Sequence, residues 1–355
     1  MKKTLLLLVF IGVAFMAVAQ PTVLGTQIVN GTYATYNLAT VGLIKQVRLQ
    51  ATSSANTGSR TWEFATGSAG SANYSTNWRP YTSSNTLSAN TFIPASFGNG
   101  AKYNTNSGGA SGLLPAITSN NYYTFNVSNN NASDNVMALW ETNFSPVTIN
   151  TANTSATCDN MAVTVSFSTS AAPATGEYVY VRYSTDNFTT SNISLATFSS
   201  ASGSAIIPAH SATTVVKYYL FSSSRNASEL ATIVTDNGQV GYDIATLNLQ
   251  NNGSSYSYTV NARPAITVAK INDPCQLNSG SVTINITGGS LNYTISGSGI
   301  TVSPSPTIGA AVTVSGIPAT INTNSKTFST LKGNVNYSFT VTDANGCVAP
   351  SIGNQ

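Results

Sequence analysis

Charge is what this sequence has least of. Only 7% of its residues are Asp, Glu, Lys or Arg, against ~25% in an ordinary soluble domain. Two of the fourteen basic residues, Lys2 and Lys3, belong to the leader described below; without them the bases exceed the eleven acids by one. A balance so near zero leaves no electrostatic footprint for nucleic acid or an anionic membrane. Histidine is scarcer still. His210 is the single imidazole, and any Ser–His–Asp triad or Cys–His dyad would have to use it. It sits in Pro208-Ala209-His210-Ser211, between a strand ending at Ile207 and one starting near Val215. That is an exposed turn, a poor place to orient a catalytic ring, and no GxSxG motif precedes it. The three cysteines, Cys158, Cys275 and Cys347, are too few and too dispersed for a zinc cluster. Phosphate-loop motifs are absent. The expectation is a protein that is not an enzyme and uses no catalytic residue, metal or cofactor.

The acids support the same expectation. A glycosidase needs two carboxylates across a cleft. Several acids here precede asparagine instead: Asp134-Asn135, Asp159-Asn160, Asp186-Asn187 and Asp236-Asn237. That pattern reads as Asx-turns, in which the carboxylate accepts local backbone N–H groups. Glu63, between Trp62 and Phe64, stands apart, because an acid beside aromatics can have a raised pKa. The sequence shows no second acid to pair with it. Asp236-Asn237-Gly238 with Asp243 is the one loop with the flavour of a calcium site. It lacks EF-hand spacing and is read as a plain turn.

Long apolar runs are missing after the N-terminus, so no membrane span is expected in the mature chain. At the N-terminus, Met1-Lys2-Lys3 is followed by an apolar run from Leu5 to Phe15 and by Ala17-Val18-Ala19. This is the pattern of a secretory signal, residues 1–19, with cleavage expected before Gln20. Export makes a disulfide the default for two of the three cysteines and leaves the third odd.

What the chain has in plenty is period-two alternation. Val163, Val165 and Phe167 alternate with small polar residues, and so do Val179, Val181 and Tyr183. Tyr256, Tyr258 and Val260 follow the same rule, as do Val282, Ile284 and Ile286, and the series Val335, Tyr337, Phe339, Val341. Turn residues separate these runs: Asp186-Asn187, Asn252-Gly253, Gly288-Gly289, Asn345-Gly346. No convincing amphipathic helix follows the signal, since Gly, Ser, Thr and Asn interrupt every candidate. The predicted fold class is all-β, built of tandem β-sandwiches of Ig-like or jelly-roll-like type. With 41% hydrophobic and 9% aromatic residues, the chain has the apolar area to order itself. Three sandwiches are expected, over residues 20–148, 149–262 and 263–355, with Arg263-Pro264 as a linker.

Aromatic residues are the feature most compatible with a binding role. Trp62, Trp78, Tyr81, Tyr122, Tyr123 and Trp140 all fall in the first segment. Trp62, Trp78 and Tyr81 are the candidate platform for sugar rings, with amides and hydroxyls nearby for sugar hydroxyl groups. Sandwich core is the other reading of the same residues, and the favoured one.

The last segment carries Cys275, then Gly280-Ser281-Val282-Thr283-Ile284, Gly288-Gly289, Tyr293, and Phe339 to Cys347 reading FTVTDANGC. These residues resemble SprB-type repeats of the large secreted adhesins of gliding bacteria. Asn292 stands where that pattern usually has proline. The middle segment, with VYVRYSTDNF, IIPA and VVKYYLF, resembles Ig-like modules of similar secreted proteins, some of which bind carbohydrate. The SprB resemblance implies that Cys275 and Cys347, which bracket the repeat, form a disulfide. Closing that loop would be worth roughly 4–5 kcal/mol in the chain-entropy picture. Two free buried thiols are the alternative. Cys158 would then be buried, or pair with another molecule. No final strand follows Cys347, so a truncated repeat is expected. The resemblance further implies a type IX secretion route, a secreted or cell-surface location, and contacts with other surface proteins or with itself. Glycans are the alternative partner.

Overall fold

A computed structural model describes residues 22–79, 91–93, 104–105, 112–128, 137–250, 254–271, 280–301, 311–312, 314–332 and 335–350. The chain is all-β, as its alternation predicts, with its sheets paired antiparallel. It forms two compact units. One runs up to Ser145 and also includes Thr232–Ala245; the other comprises Pro146–Ala231 and the chain from Thr246 onward.

The first unit has two sheets. One orders Ala34–Asn37, Val23–Thr26, Thr61–Ser68, Ser71–Arg79 and Asn104–Thr105, with Gly112–Leu113 also against Thr61–Ser68. The other orders Ala39–Val41, Ile44–Gln50, Tyr122–Ser128, Met137–Thr142 and Thr91–Ile93. Every second residue points into one core: Leu24, Trp62 and Phe64 from one sheet, and Leu49, Tyr123, Phe125, Val127 and Leu139 from the other. Trp62 and Phe64 meet edge to face at 5.4 Å, the arrangement aromatic quadrupoles favour.

The second unit holds two further cores. In the first, the strands Asn153–Thr154, Val163–Ser168, Ser202–Ile207 and Thr197–Ser199 form one sheet. Its partner sheet is Asn192–Leu195, Tyr178–Ser184, Val215–Ser223 and Asn248–Leu249, with Tyr256–Thr259 also on Val215–Ser223. This is the layout of an immunoglobulin-type sandwich. Val163, Val165, Phe167, Val179, Val181, Tyr183 and Leu220 fill it. In the second, Ala265–Ile271, Gly280–Thr287 and Ser325–Leu331 face Tyr293–Thr301, which pairs with Ala311–Val312, Ala319–Ile321 and Val335–Thr342. Ile284, Ile286, Ile295, Phe328, Phe339 and Val341 fill that core. The alternation read from the sequence therefore coincides with the inward faces.

The expectation that no helix follows the leader is corrected by two helices, α1 (Ala227–Asn237) and α2 (Val240–Ile244). The cause is capping. Asn226 Oδ1 accepts the N–H groups of Ser228 and Glu229, both at 3.0 Å, and Glu229 Oε2 accepts the Asn226 N–H at 2.8 Å. This reciprocal box satisfies N–H groups that a helix start leaves orphaned. Gly238, at φ +70°, ends α1 in the left-handed region that a glycine enters without strain. Asp236 and Asn237 thus close a helix rather than form an isolated turn, and Asp243 is buried within α2.

Residues of α2 explain a second departure from simple alternation. Thr124, Asn126, Ala138 and Trp140 occupy the outward positions of their strands, yet all are buried. The Ile244 carbonyl, which the helix end leaves without an intrahelical partner, accepts Trp140 Nε1 and Asn126 Nδ2, each at 2.7 Å. Asn126 Oδ1 in turn accepts Gln46 Nε2 at 2.8 Å. A Trp140→Phe variant removes the indole N–H donor and also shrinks a buried side chain. It is expected to lose about 2–3 kcal/mol in urea unfolding, from the lost hydrogen bond and the lost packing together, and to speed amide exchange selectively over residues 240–245.

Candidate functional site

The candidate sugar platform does not assemble among the described residues. Trp62, on the strand Thr61–Ser68, is fully buried. Its indole lies over Gly112 of the neighbouring strand, where an added Cβ would come within 2.5 Å of the ring. That is a correction for Trp62, which takes the core reading: an inward strand position opposite a second sheet leaves no face for a ligand. Trp78 is paired with Phe64 in the backbone register; its side chain, and all of Tyr81, lie outside the described residues. Trp140 and Tyr123 are also buried.

The buried charged groups are bonded to backbone groups and to side-chain hydroxyls. Arg60 donates to the Ile28 carbonyl at 2.7 Å, to Ser53 Oγ at 2.8 Å and to the Ser54 carbonyl at 3.1 Å. Glu177 Oε1 accepts the Val147 N–H at 2.9 Å. Glu63 Oε1 accepts the Tyr33 hydroxyl at 2.5 Å. Arg182 donates to Ser191 Oγ and to the Tyr219 hydroxyl, with its guanidinium 5.4 Å from the Phe188 ring centre. His210 is half-buried rather than an exposed turn residue. Its ring stands edge-on to Tyr183 at 6.2 Å, and its Nε2 has no hydrogen-bond partner among the described residues. Nearby, Tyr218 stacks on Tyr256 at 5.3 Å. Burial raises the Tyr218 and Tyr258 hydroxyls to about 12.

The Asx-turn reading holds at Asp186. Its carboxylate accepts the Thr190 hydroxyl at 2.6 Å, the Thr190 N–H at 2.9 Å and the Ser184 hydroxyl at 2.7 Å. These bonds favour the ionised form and lower its pKa to about 2. Asn187 and Phe188 turn the chain at φ +60° and +65°.

The most elaborated polar site lies in the second unit, where its two cores adjoin along the chain. It is built from FTVTDANGC. Asp343 follows the inward Val341 and is buried. Its Oδ1 accepts the N–H groups of Asn345 at 2.9 Å and Cys347 at 2.8 Å, and its Oδ2 accepts that of Ser290 at 2.9 Å. Gly289 makes the last of these feasible: at φ +66°, a Cβ there would sit 3.1 Å from both Asp343 Oδ2 and Pro264. One carboxylate thus fixes the Gly288-Gly289 turn and aims Cys347.

Cys347 is bonded to Cys158, with their Cα atoms 5.5 Å apart. The expected Cys275–Cys347 disulfide is therefore corrected. Cys275 itself lies outside the described residues. The physical reason is that the end of the last sandwich returns to the start of the preceding one. Cys158 forms a parallel bridge with Asn261. Asp159 Oδ1 accepts the Arg263 N–H at 2.8 Å, and Arg263 Nε donates to the Val348 carbonyl at 2.7 Å. Both cysteines are buried. The sequence signal for this pairing was the odd cysteine itself, followed by Asp159-Asn160 as Cys347 is preceded by Asp343. Arg263, read as linker, is instead part of the clasp.

No family model matches the chain, and no curated protein matches it. Among solved structures, similarity is found to a cytokine receptor complex, at 10% identity and a TM-score of 0.25, covering 57% of this chain and 99% of that one. Chicken CNTN1 FN1–FN3 domains are similar at 9% identity and a TM-score of 0.29, covering 90% and 97%. Scores this low do not inform function.

Two outcomes test the site. Asp343→Ala strands three N–H groups, that of Cys347 buried and those of Ser290 and Asn345 part-buried, so a loss of about 2–3 kcal/mol is expected in reversible unfolding; Asp343→Asn, which keeps one acceptor oxygen, should lose less. For Asp186, the depressed pKa means its contribution is complete above the ordinary carboxylate range, near ~4, and is lost as pH falls toward about 2. Thr190 amide shifts followed by NMR should therefore stay fixed to below pH 4 and move only near pH 2.

Proposed function

We propose that this is a secreted structural or adhesive protein of the cell surface, made of three tandem β-sandwiches with boundaries near 148 and 262. The observation that carries the reading is the buried Cys158–Cys347 bond, since structural disulfides persist in oxidising compartments outside the cytosol. Three further features support it. The leader pattern fits export. The outward strand positions are mostly Ser, Thr and Asn rather than charges, as in Val163–Ser168 and Val335–Thr342. The charged residues traced above are engaged in holding turns and strands. Edge strands such as Asn192–Leu195 carry no Lys or Glu, which leaves edge-to-edge contact with other surface proteins, or with another copy, physically open. The SprB-like closing motif points to the type IX route among secretion pathways. Asp343 and the Gly288-Gly289 turn are the residues in which that likeness has a structural purpose.

Cell fractionation with an antibody to the chain tests the location. Surface or medium recovery of protein lacking residues 1–19, with Cys158 oxidised, is expected. Protein retained in the cytosol with its leader and free thiols would end the proposal. Adhesion of cells lacking the protein tests the role, and unchanged attachment and surface assembly would remove the adhesive reading.

A further inference from the structure

The Cys158–Cys347 bond has a mechanical consequence. It joins residues 189 positions apart across a Cα separation of 5.5 Å. Cys158 precedes the strands Val163–Ser168 through Tyr256–Thr259, and Cys347 follows Val335–Thr342. The covalent loop between them therefore contains almost all of the second unit. It also contains Thr232–Ala245, the segment that belongs to the first unit.

We infer that this bond is a tension bypass: force passing along the chain crosses from Cys158 to Cys347 through the sulfurs. Within the second unit only the chain before Cys158, with the short strand Asn153–Thr154, and the chain after Cys347 carry it through their backbone. A strand unfolds under load only if its two ends are drawn apart, and every strand from Val163 to Thr342 lies between two residues that the bond holds together. Hydrogen bonds flank the crossing point on both sides. The Asp159 carboxylate holds Arg263 N–H, Arg263 Nε holds the Val348 carbonyl, and Asp343 holds Cys347 N–H. Both sulfur-bearing residues are buried, at 1% and 0% exposure, so the folded junction keeps reductants from the bond. The strands of the first unit before Ser145 lie outside the loop and bear the load. The load thus falls on the first unit and on the short stretch before Cys158, while the strands from Val163 to Thr342 stay folded as the chain is pulled. This inference stands on the disulfide and the chain order alone and does not require the adhesive reading.

Single-molecule extension of the full chain, held by handles at its two ends, tests it. The readout is total contour length, compared between the native chain and a Cys158→Ser/Cys347→Ser double variant. At about 3.3–3.6 Å per extended residue, the loop hides roughly 650 Å. The variant is expected to extend that much further than the native chain, with the unfolding events of the second unit seen only in the variant. Contour length counts residues whether or not they are folded, so a variant that fails to fold still reports it. Equal lengths for the two chains would overturn the inference. A difference of only about 250 Å would also overturn it, because that is the loop a Cys275–Cys347 bond would close.

Discussion

The covalent link between Cys158 and Cys347 is the constraint on which the second unit is organised. A bond between points so distant in sequence removes a large share of the unfolded chain's freedom, roughly 5 kcal/mol in the chain-entropy limit. It can form only if both ends are placed within a few ångströms. Placement is achieved by a buried carboxylate, Asp343, whose two oxygens accept three backbone N–H groups. A buried charge is costly unless fully hydrogen-bonded. Here the turn geometry supplies those bonds, and Gly289 clears the space for them. The disulfide, the carboxylate and the glycine turn are one device.

The same economy appears elsewhere. Arg60 is spent on carbonyls and a hydroxyl of nearby loops, Glu177 on the Val147 amide, and Asp186 on the loop that ends at Thr190. Glu63 accepts the Tyr33 hydroxyl, Asp186 and Asp159 accept backbone N–H groups, and His210 stands edge-on to Tyr183. Trp62 is the sharpest case: a residue suited to stacking on a sugar is instead the largest member of a core, pressed on Gly112.

Both faces of some sheets are buried, which period-two reasoning alone does not anticipate. Asn126 and Trp140 occupy outward positions and would be expected to face water. The carbonyl at the end of α2 covers them instead. The helices were hidden in the sequence because α1 is rich in β-branched residues, which weaken propensity. Its capping residues, Asn226 and Glu229 with Gly238, were nevertheless in plain sight. Local hydrogen bonds at the ends, rather than the composition of the middle, determined that stretch.

From the sequence alone followed the alternating strands of the two later segments and their inward faces. A strand's period and a turn's φ preference are local properties, set by Val163-Val165-Phe167 or by Asn187 without reference to the rest of the chain. The tight turn at Gly288-Gly289 was legible for the same reason. Only the tertiary structure decided which cysteine meets Cys347, that residues 232–245 complete the first unit, and that Trp62 is core. Each of those depends on where a distant segment returns. Alternation specifies which way a side chain points, but not what arrives to cover it.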